Sequence, residues 1–251
     1  LMGIPLLWVE WAMGRYGGPY GHHSVPGMLD RMGKSRILKH IGVFGLFTNL
    51  TVAAYYCYIE SWTLAYVFHS LKGTFRSTPP TEFFPAYLGQ HAGSITSLPP
   101  EATLFFVVTL ALNVWILSRG LAKGIEMAAK IGVPLLIVFG VVLVVRGLTL
   151  GTDAPGVVES PLSGLNFVWN PDLSGLKDFN VWLAAAGQIF FTLSVGMGSI
   201  HCYAAYVKKN QDVALNAASA GWMTEFVEVV IGGSLLIPIA TAYMGLAAVK
   251  S

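Results

Sequence analysis

The sequence predicts an all-α protein that crosses a membrane several times. Of its 251 residues, 54% are hydrophobic and only 11% are charged, whereas soluble domains carry about 25% charged residues. The mean hydropathy is +0.62, and several apolar runs are long enough to cross the ~30 Å core of a bilayer as helices. The net charge of +2 gives no indication of a nucleic-acid partner, and none is expected.

A stretch in the second half of the chain, residues 187–206, cannot form one smooth helix. Glycine and hydroxyl residues crowd the middle of this apolar stretch, namely Thr192, Ser194, Gly196, Gly198 and Ser199. Glycine costs about 1 kcal/mol relative to alanine in a helix, and hydroxyl side chains compete for backbone hydrogen bonds. We predict two half-helices that flank an unwound segment near 192–197. Open backbone at membrane depth needs partners, so this break is a candidate binding site. The alternative is an intact helix that packs through small residues.

The other segments follow from the apolar runs and from the Gly, Pro and charged residues between them. In chain order we expect the end of a helix at 1–16, a helix at about 37–71, an outer loop at 72–101, helices at 102–118 and about 124–146, an outer loop at 147–178, the broken helix at 179–207 and a last helix at about 213–247. The chain starts inside an apolar run and stops without a terminal tail. We therefore expect one incomplete transmembrane domain.

Basic residues predict the orientation of these segments. Most of them fall in the connections of one side, at Arg15, Arg31, Lys34, Arg36, Lys39, Arg119, Lys123, Lys130, Lys208 and Lys209. The positive-inside rule places these connections in the cytoplasm. The loops at 72–101 and 147–178 then lie outside the cell membrane.

Four stretches of the sequence resemble the neurotransmitter:sodium symporter family, and within it the bacterial leucine-transporter branch. They are GIPLLWVEWAMGRYGG (3–18), AAYYCYIESW (53–62), GQIFFTLSVGMG (187–198) and NAASAGWMTEFVEVVIGGS (216–234). The resemblance implies a twelve-helix fold in which helices 1–5 and 6–10 are inverted repeats. This chain would hold the end of helix 2 through helix 7, with helix 6 broken. The leucine transporter is itself the type example of a site built at such a break.

The resemblance implies sodium-coupled symport of neutral, hydrophobic amino acids by alternating access, with the fragment inactive alone. The expected partners are an amino acid, co-transported Na+ and the lipid bilayer, with no organic cofactor and with a homodimer left open. The expected location is a bacterial or archaeal cytoplasmic membrane. The alternatives are a same-fold symporter for an amine or another small substrate, and a non-transporting membrane binding protein. No HExxH or GxSxG pattern occurs, so we do not expect an enzyme or any catalytic residue.

The resemblance also implies roles for individual residues. Substrate contacts are implied for Val52, Tyr56, Phe191, Thr192, Ser194 and Met197. Tyr56 and Phe191 would form the outer gate above Gln188, and Tyr206 would belong to the inner gate. The relatives carry phenylalanine at Met197, and a narrower, flexible methionine predicts looser size selection.

Two further positions bear on ion coupling. Thr192 and Thr224 are implied as sodium ligands, but Thr224 stands where the leucine-transporter branch has asparagine, so the affinity or existence of that site is open. Glu228 matches a carboxylate that replaces chloride in bacterial members, which implies chloride independence. The remaining polar residues are expected to be structural: a helix-end contact for Glu10, hydrogen bonding for Glu60 and Glu225, and packing for His201.

Overall fold

The computed structural model describes residues 2–35, 37–89, 99–208 and 210–250. Arg36, Lys209 and residues 90–98 of the predicted outer loop lie outside the described residues. The described part of the chain is helical, with 3-10 and π segments between α-helices. The α-helices are α1 (Gly3–Gly17), α2 (Val25–Met32), α3 (Ile37–Lys72), α4 (Pro80–Tyr87), α5 (Pro100–Ser118), α6 (Glu126–Leu148), α7 (Pro161–Trp169), α8 (Phe179–Thr192), α9 (Ser199–Ala204), α10 (Val213–Glu225), α11 (Gly233–Met244) and α12 (Leu246–Lys250).

Four helical stretches are long and apolar enough to cross a membrane. They are Ile37–Lys72, Pro100–Ser118, Leu121–Leu148 and Val213–Met244, and α8 is a shorter apolar helix. Three of these stretches exceed the roughly 20 residues that span a bilayer as a helix, and the 19 residues of α5 lie within the range of about 17–25 that can do so. The all-helical, multi-pass membrane architecture predicted from composition is confirmed.

The chain divides into two compact units. The first comprises Leu1–Asn49 with Val133–Ser251, and the second comprises Leu50–Gly132. One boundary therefore falls inside α3 and the other inside α6. In the first unit α1 packs against α9 and α10, and α7 packs against α11. Glycine permits both contacts, because a Cβ atom on Gly14 would collide with the His201 carbonyl and one on Gly164 would lie 2.5 Å from Thr241 Oγ1.

Two segments depart from α-helical geometry without interrupting their helices. Leu121–Ile125 and Phe226–Gly232 are π-helical. The second lies between α10 and α11, so that the three form one stretch over Val213–Met244. Short π segments inside α-helices often occur at functional sites.

Both predicted outer loops contain a helix that the sequence analysis left out. Helix α4 lies within 72–101 and begins at Pro80, and α7 lies within 147–178 and begins at Pro161. Proline suits the first helical position because its missing N–H would be unpaired there anyway. The last helix was expected to reach about residue 247. It ends at Met244, because Gly245 adopts φ +81°.

In the second unit the end of α3, helix α4 and the start of α5 meet in an aromatic cluster. Its buried members are Ala65, Phe83, Tyr87 and Ala102, and Trp62, Tyr66, Phe75, Leu88 and Phe105 pack around them. His69 is buried here, with Nε2 3.0 Å from Glu101 Oε1 and its ring 4.6 Å from that of Phe83. Burial raises the pKa of the Tyr87 phenol to about 12, so this hydroxyl stays neutral at physiological pH.

Candidate functional site

The candidate site is the break between α8 and α9. Helix α8 ends at Thr192 and α9 begins at Ser199, so the unwound residues are 193–198, beside the 192–197 expected from the small residues. Three of them have left-handed backbone: Ser194 at φ 53°, Gly196 at φ 82° and Gly198 at φ 86°. Because L-residues reach this region only at a cost, the two glycines explain why the chain can turn here.

Two side chains from distant parts of the first unit bind the open backbone. The Gly196 N–H donates to Glu10 Oε1 at 2.6 Å, and Asn49 Nδ2 donates to the Met197 carbonyl at 2.7 Å. Leu193, Ser194 and Val195 instead donate to carbonyls in the last turn of α8. The break is therefore partly closed by local turns and partly held by α1 and α3.

Glu10 is more deeply involved than the sequence analysis expected. It lies in the middle of α1 rather than at a helix end, and it is 6% exposed. Its second carboxylate oxygen lies 3.5 Å from Nδ1 of His201, which is also buried. The expectation of a helix-end contact is wrong, because α9 packs on this face of α1 and brings Gly196 within reach.

Four of the expected site residues lie together at the break. Phe191 and Thr192 form the end of α8, and Ser194 and Met197 lie in the unwound segment. Phe191 is exposed, whereas the other three are half-buried. Their arrangement is compatible with a small ligand that contacts both open backbone and an aromatic ring.

Gln188 connects the break to the π-helical segment. Its Nε2 donates to Glu228 Oε1 at 2.7 Å and lies 3.2 Å from Thr192 Oγ1. Glu228 belongs to the π segment, and Thr224 lies in the preceding helix. The Thr224 hydroxyl donates to the Ala220 carbonyl at 2.9 Å, so its oxygen keeps lone pairs that could ligate a cation.

Val52 and Tyr56 belong to the second unit. They lie on one face of α3 with Glu60, since residues four apart share a helix face. Tyr56 is half-exposed, and its ring is 5.6 Å from that of Tyr55. Glu60 accepts a hydrogen bond from Asn113 Nδ2 at 2.7 Å, in line with the expected structural role. The substrate-binding roles of Val52 and Tyr56 stay predictions.

The expected inner-gate residue, Tyr206, follows α9. Its ring is exposed and stacks on that of His23 at 4.7 Å. Within the described residues no group of three or more His, Cys, Asp or Glu side chains could hold a metal ion. The oxygen atoms at the break come instead from hydroxyls and backbone carbonyls, which suit a hard monovalent cation such as sodium.

These features define a class: a multi-pass membrane protein in which a helix is interrupted by a polar, side-chain-supported break. The comparison with known families is more specific. Residues 72–245 match the sodium:neurotransmitter symporter family, and the chain belongs to that family. The predicted family is thus confirmed, and so is the expectation that the chain is not an enzyme, because this is a family of transporters.

Three relatives illustrate the similarity. An uncharacterized sodium-dependent transporter of Methanocaldococcus jannaschii is 34% identical over 87% of this chain and 42% of its own length. The sodium-dependent neutral amino acid transporter B(0)AT1 of Mus musculus is 25% identical over 90% of the chain and 37% of its own length. The sodium-dependent dopamine transporter of Bos taurus is 26% identical over 82% of the chain and 32% of its own length. The chain thus spans less than half the length of these relatives.

One residue at the break was not predicted from the sequence. Asn49 was not singled out, although an amide side chain inside an apolar run was a usable signal. Its partner could not be read from the sequence, because Met197 lies 148 residues further on.

Proposed function

We propose that this chain is part of a sodium-coupled symporter for neutral, hydrophobic amino acids in a bacterial or archaeal cytoplasmic membrane. The observation that carries the proposal is the break at 193–198, where carbonyl and hydroxyl oxygens lie beside an aromatic ring. The names of the three relatives support sodium dependence, and one of them specifies neutral amino acids. The fragment would not transport alone.

In this proposal the chain is the end of helix 2 through helix 7 of a leucine-transporter-type inverted-repeat fold. Helix α3 is then helix 3, α5 helix 4, α6 helix 5 and the pair α8–α9 the broken helix 6. Transport would proceed by alternating access around the break. Assembly as a homodimer stays a prediction.

The substrate would be held at two ends. Its carboxylate would accept a hydrogen bond from the Tyr56 hydroxyl, a neutral donor on an aromatic body, while Ser194 would contact its backbone. Val52 and Met197 would line an apolar space for its side chain. Phe191 would cover the site from outside, and Tyr206 would close it from inside. Because methionine is narrow and flexible, large and small apolar side chains would both be accepted.

Sodium would bind at the end of α8. Thr192 would supply an oxygen ligand, and Thr224 would be a second, weaker one. Glu228 would add a fixed negative charge, and Gln188, which donates to its carboxylate, would hold that charge in position. A carboxylate in this place makes chloride unnecessary, since it supplies the charge that chloride would bring.

The test is binding of leucine and tryptophan to the purified full-length protein, with sodium or potassium as the only cation and with chloride or gluconate as the anion. We expect binding in sodium only, with equal affinity in both anions. Tyr56→Phe should weaken leucine binding by about tenfold to a hundredfold, because a hydrogen bond to a charged group contributes about 1.5–3 kcal/mol. The neighbouring Tyr55→Phe serves as the matched control.

Absence of binding in sodium would contradict the proposal. An amine substrate is the second candidate, favoured by the likeness to a dopamine transporter, and it would be recognised by sodium-dependent binding of an amine with no binding of leucine. Chloride-dependent binding would instead contradict the role given to Glu228.

A further inference from the structure

The N-terminal half of α3 presents one polar side chain to the break. Asn49 Nδ2 donates to the Met197 carbonyl at 2.7 Å. Asn49 is half-buried and lies in an apolar part of the helix, with Leu46, Phe47 and Leu50 as neighbours in the sequence. An amide in such surroundings is costly unless it is hydrogen-bonded, and the carbonyl that it binds belongs to the unwound segment.

The same face of α3 approaches the start of α9 very closely. A Cβ atom on Gly198 would lie 3.4 Å from Gly45 Cα and 3.5 Å from Asn49 Nδ2, and 2.9 Å from Val25 Cγ2. Gly45 precedes Asn49 by one helical turn, so the two form one surface. Gly198 itself has φ 86°. The peptide between Met197 and Gly198 is therefore packed and hydrogen-bonded from the α3 side.

Fixing this peptide also fixes the residue before it. A peptide group is planar, so a carbonyl held by Asn49 determines ψ of Met197 and restricts φ of Gly198. These angles set where α9 begins and in which direction the Met197 side chain leaves the backbone. Glu10 holds the preceding part of the break through Gly196 N–H, but it makes no hydrogen bond to the Met197 carbonyl.

We propose that Asn49 is a positioning residue for substrate selectivity, which holds the Met197 carbonyl and thereby sets the size of the space that Met197 leaves for the substrate side chain. This inference rests on the proposed function, in which Met197 lines that space. Asn49 need not touch the substrate. Its loss would change which side chains are accepted more than it changes sodium dependence, because the proposed sodium ligand Thr192 lies at the other end of the break.

The chain offers a matched control one residue away. Thr48 is also half-buried on α3, but its hydroxyl donates to the Phe44 carbonyl of its own helix at 2.8 Å. Thr48→Val therefore removes a polar group from the same turn without touching the break. Asn49→Leu removes the donor amide at similar side-chain volume.

The experiment compares the full-length wild-type protein with these two variants. The first readout is the ratio of leucine to tryptophan affinity in sodium, together with the sodium concentration for half-maximal leucine binding. The second is hydrogen exchange of the peptide that covers 193–204, which needs no substrate. For Asn49→Leu we expect the affinity ratio to change by about threefold to tenfold, as for loss of one hydrogen bond, and exchange in 193–204 to accelerate. Thr48→Val should change neither.

Each outcome distinguishes the two proposals. A folded Asn49→Leu protein with wild-type ratio and exchange would overturn the positioning role, and an equal loss of affinity for both ligands would reduce Asn49 to a structural residue and overturn it too. If the wild-type protein binds no amino acid, the proposed function fails. The selectivity role is then overturned together with the proposed function, and exchange reports only whether Asn49 holds the Met197 carbonyl.

Discussion

The first unit contains two departures from α-helical geometry that are stabilised in different ways. At 193–198 the helix opens, and partners for its backbone come partly from local turns at the end of α8 and partly from α1 and α3 through Glu10 and Asn49. At Phe226–Gly232 the helix only widens, and its backbone stays helical from α10 to α11. Gln188 joins the two through its bond to Glu228.

The difference shows how a membrane protein can expose backbone groups to a ligand. A π segment keeps its own hydrogen bonds and needs little outside support. An open segment exposes donors and carbonyls, and in an apolar medium each must be satisfied. The open break can therefore offer oxygen atoms to an ion or substrate, but it depends on residues far along the chain.

The largest effect should come from removing the partner that holds the open break. Glu10→Ala leaves the Gly196 N–H without its acceptor inside the protein, which should cost about 3 kcal/mol of unfolding free energy. Glu10→Gln keeps an acceptor oxygen and should cost less than half as much. Denaturant titration of the full-length protein in detergent measures both. Equal stability of wild-type and Glu10→Ala would show that the break does not need this support.

Two glycine substitutions should change the free energy of unfolding by smaller amounts. The change at the open break should destabilise the fold, and the change in the π segment should stabilise it. Gly198→Ala forces a Cβ atom into left-handed backbone and to within 2.9 Å of Val25 Cγ2, so we expect a loss of about 2 kcal/mol. Gly232 has helical φ −64°, and a Cβ atom there would meet nothing nearer than 3.6 Å. Gly232→Ala should therefore stabilise by up to about 1 kcal/mol.

Thermal unfolding of both variants checks this pair. Destabilisation of similar size at the two glycines would contradict the distinction between an open and a widened helix. A loss of stability in Gly198→Ala alone would support that distinction.

The smallest effect on stability is expected at Ser194. Its φ of 53° costs an L-residue about 1–2 kcal/mol, whereas glycine carries an entropic penalty of about 0.5–1 kcal/mol. Ser194→Gly should therefore stabilise the fold by about 0.5 kcal/mol, while leucine affinity in sodium falls because a hydroxyl contact is lost. Stability and affinity, measured on the same preparation, should change in opposite directions. Unchanged affinity would remove Ser194 from the substrate site.

Much of the helical organisation could be predicted from local sequence. Apolar length identifies the spans, and the crowding of small residues between Thr192 and Ser199 identifies the break, because both signals arise from neighbouring residues. The supports of the break are different. Glu10 and Asn49 act on residues 186 and 148 positions away, and no local pattern specifies such a pairing.

The two predicted outer loops contain helices that were not predicted, for a different reason. Helices α4 and α7 carry local signals that could have been used, since Pro80 and Pro161 suit a first helical position and the Ser160 side chain accepts from Leu162 N–H. The π segment at 226–232 is rich in β-branched residues and ends in glycine, which lowers its helix propensity but does not distinguish a π-helical segment from an α-helix. The expected roles of Val52, Tyr56 and Thr224 came from family resemblance alone and stay predictions.

The hydrogen bond between Glu10 and Gly196 also has a consequence for the order of synthesis. Its partners are 186 residues apart, and at about 5–20 residues per second a ribosome takes about 10 to 40 s to make the chain between them. During that interval Glu10 has been made but its final partner has not. The support that Glu10 gives to the break can therefore form only after residue 196 has been synthesised, later than α1 itself.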